Sequence, residues 1–317
     1  MKQKNQNLKM TTNKRRTFIY AEGREHISSF MVDDMKRATL EYGWIFRQLR
    51  CIDPNDILDE EKMYRLFPPN SAIILRNLPK NNSIDVAMLT EWLSSHNIVS
   101  LNFNATGGLE ASNDKLFQTL MLKTNQKTTE YVIPTFEVEN KETTIKLINS
   151  KKISYPFLLK PKDGSIGKGI RIIQQEKDLD SQQRWRNMMA QSFIESDYDW
   201  RVYTIGNRAV GALRRGGKEQ KPYDFNAHAN GIIKEKETDP KVLSIINRIA
   251  CDVASVAGLE YSGCDIIRDK KTGKYCLLEI NTAATWEGGY NEIIEVDLAT
   301  EILKYCDQMI DAKGLGN

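Results

Sequence analysis

The sequence is poor in the residue types that carry nucleophilic or zinc chemistry. Its 317 residues include three histidines (His26, His96, His228) and five cysteines (Cys51, Cys251, Cys264, Cys276, Cys306). The histidines form no local zinc signature such as HExxH, and no GxSxG stretch supplies a serine elbow. Triad chemistry and zinc hydrolysis are thereby set aside. The cysteines are odd in number, scattered and without a CxxC. They read as reduced thiols, most of them core residues, in a cytoplasmic protein. No apolar run reaches the about 18 residues of a membrane-spanning helix, so no membrane role is expected. Neither sign of charge dominates. Lys and Arg number 45 against 42 Asp and Glu, and a net charge of +3 calls for no polyanionic partner, nucleic acid included.

What is present is the composition of a globular protein, 40% apolar and 27% charged, in a chain long enough for two or three subdomains. Residues 1–16, "MKQKNQNLKMTTNKRR", hold six basic residues and no acid. With no apolar region following, this reads as a disordered basic tail or as one with a weak nucleic-acid or anionic-surface role, and not as a secretory signal. Over 17–110, strands in "TFIYAEG", "SAIILRN" and "IVSLNF" alternate with helical spacing in "SFMVDDMKRATLEYGW" and "DVAMLTEWLSSHN". That alternation predicts a small α/β domain with a largely parallel sheet. Over 111–190 a capped helix "SNDKLFQTLMLKTN" precedes "YVIPTFEV", then two apolar strands around a Gly-rich loop in "YPFLLKPKDGSIGKGIRII". A Trp-bearing helix is predicted over 178–189, then a strand in "MMAQSFI". Over 191–317 there are two hairpins, turning at Gly206-Asn207 and near Thr272-Gly273. A long amphipathic helix separates them, and another closes the chain.

The loop "DGSIGKG" (163–169) is not a phosphate-binding P-loop. Gly164 and Gly167 are three apart, Gly169 follows Lys168, and the loop joins strand to strand. It is either an ordinary flexible hairpin or a flap whose glycines let backbone N–H groups approach phosphate oxygens. Lys160 ends the apolar strand before it, a costly position unless the ammonium meets an anion. Lys115 opens an earlier helix. In "KYCLLEINTAATWEG", Glu279 and Asn281 are two apart and share one face of a strand. Asp265, in "GCDII", lies across the hairpin and can fall beside Glu279, within about 5 Å at Cα. Each residue alone could be an ordinary surface group. Together they suggest a triphosphate and a magnesium ion, which takes few protein oxygens and completes its shell with phosphates and water.

The order Lys115, Lys160, Gly-rich flap, "QSFI", "DWRVY…ALRR", "FNAH", Asp265, "EINTAATWEG" closely resembles the ATP-grasp ligases. Within them it looks most like the RimK-like group of the ribosomal-protein glutamate ligase and the amino-adipate ligase. The resemblance covers about residues 70–310, and its specific part is 155–290. It implies an α/β (α+β) ATP-grasp fold, a Rossmann-like domain followed by two α+β subdomains clasping ATP. Lys115 and Lys160 would contact the ATP phosphates, and Gly164, Ser165, Gly167, Lys168 and Gly169 would cover them. Gln191 would meet the adenine amine, with Phe193 and Ile194 offering backbone groups and Asp199 taking the ribose. Asp265, Glu279 and Asn281 would hold two Mg²⁺, with Mn²⁺ able to substitute. Arg214 and Arg215, with Arg201 behind them, match the family's basic residues near the transferred phosphate and the substrate carboxylate. Asn226 and Arg76 are weaker substrate-side matches.

The hinge reads Gln-Ser where many relatives have Gln-Glu or Glu-Glu. The segment "AHANGI" is less glycine-rich than in relatives, and "NTAATWEG" replaces an N-x-S-P-G run. These departures bear on the acceptor more than on ATP. The implied reaction is ATP-dependent amide formation through an acylphosphate, joining a small carboxylate such as an amino acid to an amine, peptide or protein tail. A homo-oligomer is expected. A kinase acting on a hydroxyl and a non-catalytic nucleotide-binding module are the rivals, and the reaction products separate all three.

Overall fold

The computed structural model describes residues 16–22, 29–49, 54–76, 86–105, 114–163, 169–182, 184–216, 233–282 and 284–314. The first sheet contains β1 (Thr17–Glu22), β2 (Ile45–Leu49), β3 (Ser71–Arg76) and β4 (Val99–Leu101). All its pairings are parallel and the order is β2-β1-β3-β4. A parallel sheet is covered on both faces, so its central strands read as unbroken apolar runs. Ile19, Ala21, Ile73 and Leu75 pack against α2 (Glu60–Leu66) and α3 (Val86–Ser95). Phe18, Tyr20, Ala72 and Ile74 pack instead with α1 (Ser29–Glu41) and with Leu298, Ile302 and Cys306 of the chain's last helix. Arg16 lies over Trp44 and pairs with Asp307 and Asp311 of that helix. Residues 1–15, which complete the basic segment, lie outside the described residues.

The middle sheet is antiparallel, in the order β5-β8-β6-β7, from β5 (Thr135–Val138), β6 (Phe157–Pro161), β7 (Arg171–Ile173) and β8 (Met188–Ser192). In front of it lies α4 (Lys115–Thr124), capped by Asp114, whose carboxylate accepts from the Leu116 and Phe117 N–H groups. Asn140 and Thr143 form a capping box at the start of α5 (Lys141–Asn149).

The helix predicted over 178–189 does not form. Glu176–Ser181 makes a 3₁₀ turn, and the chain is already in β8 at Met188. Only Leu179 of this turn is buried, too little to hold an amphipathic helix down. Arg171 pins the turn from β7, donating to the Asp178 carbonyl at 2.8 Å and to Gln182 Oε1 at 2.7 Å.

The third sheet is antiparallel in the order β11-β10-β9-β12-β13. Its strands are β9 (Tyr198–Ile205), β10 (Arg208–Gly216), β11 (Ile233–Lys236), β12 (Tyr261–Arg268) and β13 (Tyr275–Asn281). Gly206 and Asn207 both have positive φ, +56° and +60°, as a tight two-residue hairpin requires. One face packs on α6 (Pro240–Ala257) through Trp200, Val202, Cys264 and Ile266. The opposite face divides along its length. Tyr203, Ile205 and Tyr261 join the core with the short α7 (Tyr290–Ile294) and under α8 (Leu298–Gly314), which also covers the first sheet.

Asn102, with φ +67°, fastens those two sheets together. Its amide donates to the Tyr261 and Thr282 carbonyls, both at 2.6 Å, and accepts from the Tyr261 N–H at 2.9 Å. The remainder of that face is charged. No helix among the described residues is long and apolar enough to cross a membrane.

Candidate active site

The charged half of the third sheet is organised by strand register. Asp265 sits opposite Glu279 on β13 and opposite Arg201 on β9, and Asp199 sits opposite Arg215 on β10. Residues directly opposite in an antiparallel pair point to the same side, so Arg215, Asp199, Arg201, Asp265 and Glu279 form one row. A bulge in β13 makes this possible. Up to Ile266 the register is Arg268↔Tyr275, Ile267↔Cys276, Ile266↔Leu277, and it then shifts so that Asp265 meets Glu279. Without the extra residue, Leu278 would face Asp265 and Glu279 would turn to the other side.

The row is tightly paired. Arg201 donates from Nε and Nη2 to the two oxygens of Asp265, both at 2.6 Å. Arg215 Nη2 stands 3.0 Å from Asp265 Oδ1, and the same guanidinium pairs with Asp199. Its Nη1 is buried without a partner among the described residues. Burial alone would raise the Asp265 pKa; the guanidiniums of Arg201 and Arg215 outweigh it and hold the carboxyl low, at about 2. Asn281 Nδ2 approaches Asp265 Oδ2 at 3.4 Å and the Gly263 carbonyl at 3.3 Å.

Glu279 reaches away from the sheet to two lysines. Lys115 Nζ, at the start of α4, donates to Glu279 Oε1 at 2.8 Å. Lys160, on β6, is buried, and burial pushes its pKa down to about 8; Glu279 partly restores it and Lys115 lowers it further. Between the two sheets lies a narrow cleft of about 20 Å³ whose lining includes Lys115, Gln118, Lys160, Gln191, Leu278 and Glu279.

Gln191 is oriented by Thr135. The Thr135 hydroxyl donates to the Ile133 carbonyl at 2.9 Å, so it accepts from Gln191 Nε2 at 2.9 Å. Gln191 Oε1 is thereby left buried with no partner among the described residues, an acceptor suited to an exocyclic amine.

A lysine depressed by burial gives a pH prediction. An anionic ligand should bind with proton uptake around pH 8, and affinity should fall as the pH rises past 8, because the neutral amine loses its attraction. Calorimetry in buffers of different ionisation enthalpy measures the uptake, and Lys160→Met should abolish it. The folded protein binds fewer protons at this site than the unfolded chain between about pH 8 and 10.5. The free protein should therefore gain stability as the pH rises through that window.

Other sequence-predicted residues lie elsewhere. Arg214 alternates with Arg215 and lies on the opposite face, paired with Glu235 and over the Tyr198 ring at 5.2 Å. The structure therefore separates the two arginines. Phe193 and Ile194 follow β8 directly, and Ile194 packs with Ile133, Ile267 and Cys276. Gly169 has φ +81° beside Pro161. Arg76 ends β3, and its side chain lies outside the description. Gly164, Ser165, Gly167, Lys168 and Asn226 also fall outside the described residues.

Sequence reasoning missed several supports. Gln118, a polar residue in the stripe "LFQTLML", donates to the Ile280 carbonyl at 3.0 Å. The departure "NTAATWEG" is anchored from three sides. Tyr261 and Tyr203 hydroxyls donate to the Ala284 and Thr285 carbonyls at 2.7 and 3.0 Å, and Trp286 Nε1 donates to Asp34 of α1 at 2.9 Å.

Residues 111–306 match the family model of the RimK-like ATP-grasp domain. The chain belongs to the RimK-like ATP-grasp family. A protein named probable alpha-L-glutamate ligase from Shewanella halifaxensis is 28% identical over 251 residues, 75% of this chain and 51% of that protein. This ATP-grasp chain spans about half the length of the curated relatives it matches. Among solved structures, the ATP-grasp ligase PsnB complexed with minimal precursor superposes with TM-score 0.66 at 18% identity, covering 93% of this chain and 98% of that one. A second PsnB structure, with precursor, Mg and ADP, gives TM-score 0.62 at 18% identity, covering 94% and 98%. D-alanine–D-alanine ligase from Bacillus anthracis gives TM-score 0.64 at 14% identity, covering 96% and 99%. At these identities the likeness is one of fold, and that fold is the α/β (α+β) ATP-grasp architecture.

The donor set fits magnesium. Among the described residues no group of three or more His, Cys, Asp or Glu converges to hold a metal. Asn281 adjoins Asp265, which is held ionised, and Glu279 sits opposite Asp265 in the strand register. A small hard cation that keeps water and substrate phosphates in its shell suits such a sparse oxygen set.

Proposed function

We propose that this chain is an ATP-dependent carboxylate–amine ligase, activating a carboxylate as an acylphosphate and releasing ADP and phosphate as an amide forms. The observation that carries this reading is the convergence on Glu279. Lys115 and Lys160 approach it from the middle sheet's side of the cleft, while the Arg201–Asp265–Arg215 row lies beside it on the third sheet. A cleft with cations on one wall and ionised oxygen donors on the other suits a metal-bound triphosphate.

In the proposed roles, Gln191 Oε1 accepts from the adenine amine, and Lys115 and Lys160 neutralise phosphate oxygens. Asp265, Glu279 and Asn281 would hold two Mg²⁺, which when bound neutralise the phosphates and orient them for transfer. Arg215, with a buried N–H to spare, meets the transferred phosphoryl group or the substrate carboxylate. No protein nucleophile is required, because the γ-phosphorus is attacked by the substrate carboxylate and the acylphosphate by the amine. The names of the relatives suggest an amino acid such as glutamate as donor, and the precursor-bound ligase suggests a peptide or protein amine among the acceptors. A cytoplasmic location and a homo-oligomeric assembly belong to the same proposal.

Hydroxylamine tests the reaction type. Supplied with ATP, Mg²⁺ and a panel of amino-acid carboxylates, it should give a hydroxamate, ADP and phosphate. ADP formed with the phosphate retained on a stable ester would overturn the ligase reading in favour of a kinase.

A further inference from the structure

We infer that Arg201 is a positioning residue that clamps Asp265 for metal binding. The inference rests on the ligase reading and refines the role of one residue in it.

One edge of the Arg201 guanidinium is committed to Asp265. Its Nε and Nη2 donate in parallel to both oxygens of Asp265 at 2.6 Å, the fork-on-carboxylate arrangement that fixes orientation as well as charge. The two residues are directly opposite on adjacent strands, so the backbone register holds the pair in place. Both side chains are nearly excluded from solvent, at 13% and 11% exposure. Arg201's stem is confined too. A Cβ added at Gly263 would lie 3.3 Å from Arg201 Cδ and 2.9 Å from Ala284 Cβ, so the absence of a side chain there leaves room for the arginine. Arg215 differs, since it bridges Asp199 and Asp265 and still has Nη1 buried and unpartnered among the described residues.

The acceptor sites of Asp265 carry the argument further. An ionised carboxylate offers about four lone-pair positions. Arg201 takes one on each oxygen, and Arg215 takes a second on Oδ1. The remaining position, on Oδ2, meets among the described residues only the Asn281 amide, at a long 3.4 Å. Asn281 is itself a candidate ligand. The clamp therefore leaves one edge of Asp265 open to a cation, and that edge faces the residue expected to share the cation.

The test is Mn²⁺ binding followed by the loss of its free-ion paramagnetic resonance signal, with a non-hydrolysable ATP analogue present. Arg201→Lys keeps the charge and loses the fork. It should weaken Mn²⁺ binding about 10-fold or more, the range expected for a group that orients a metal ligand. Affinity for the analogue without metal should be unchanged. Gly263→Ala, which presses on the Arg201 stem and leaves every charge in place, should move Mn²⁺ affinity in the same direction. Wild-type Mn²⁺ affinity in Arg201→Lys, with turnover or the KM for the carboxylate altered, would overturn the inference and place Arg201 on the substrate. Failure of the wild-type protein to bind Mn²⁺ with nucleotide would overturn the functional reading and this inference together, a result separable from the first.

Discussion

Glu279→Gln should reduce nucleotide turnover by about 10²–10³-fold or more, the range for removing one group that stabilises charge in a transition state, and should leave the fold intact. The substitution is isosteric, and the glutamine oxygen can still accept from Lys115 Nζ, which now stands 2.8 Å from Oε1. The side chain is 31% exposed, so the neutral amide keeps access to water. What disappears is a negative charge beside Lys115, Lys160 and Asp265. Lys160, already depressed by burial, loses the negative charge that raises its pKa, so its neutral fraction at pH 7 to 8 should grow. ADP release at saturating ATP, paired with a thermal melt, checks both halves. Near-normal turnover in a well-folded variant would end the assignment of Glu279 to the metal.

The second large effect separates two adjacent residues. Arg215→Met should lower activity by about 10²-fold or more and destabilise the protein by about 1–3 kcal/mol, because Asp199 loses its charged hydrogen-bond partner while Asp265 keeps Arg201. Arg214→Met should do neither. Its guanidinium is 37% exposed and its partner Glu235 50% exposed, and such surface pairs contribute about 0–1 kcal/mol. Activity within about twofold of wild type is expected, since surface changes away from a site usually stay within about 0.5 kcal/mol. Denaturant unfolding and the hydroxamate assay on both variants decide the matter. Equal losses would mean that both arginines reach the site, against the alternation of the strand.

The sequence by itself determined the kinds of group and most of the elements that carry them. Lysine at the end of "FLLK", an acid and an amide two apart in "LLEIN", and a second acid in "GCDII" are local patterns, and a period-two strand assigns their faces without further help. The alternating elements before residue 105 and the two hairpins with Gly-Asn and Thr-Gly turns followed from equally local rules. The predicted helix over 178–189 failed where a tertiary contact, Arg171 on the Asp178 carbonyl, held a short turn that no periodicity encodes.

The tertiary structure decided which groups meet. Period two predicts that Arg214 and Arg215 diverge, but only the sheet order shows that Arg215 is the one sharing a face with Asp265. The pairing of Asp265 with Glu279 depends on one bulged residue in β13, and a bulge is a property of two strands together. The partners of Arg201 and the amide orientation of Gln191 were likewise out of reach, because hydrogen bonds between residues more than 50 positions apart are set by packing and not by neighbours in the chain. The core under α8 shows the same limit. Its apolar stripe announces a buried helix, but that one helix covers both the first and the third sheet is fixed by the burial of Phe18, Tyr203 and Cys306 in a single cluster.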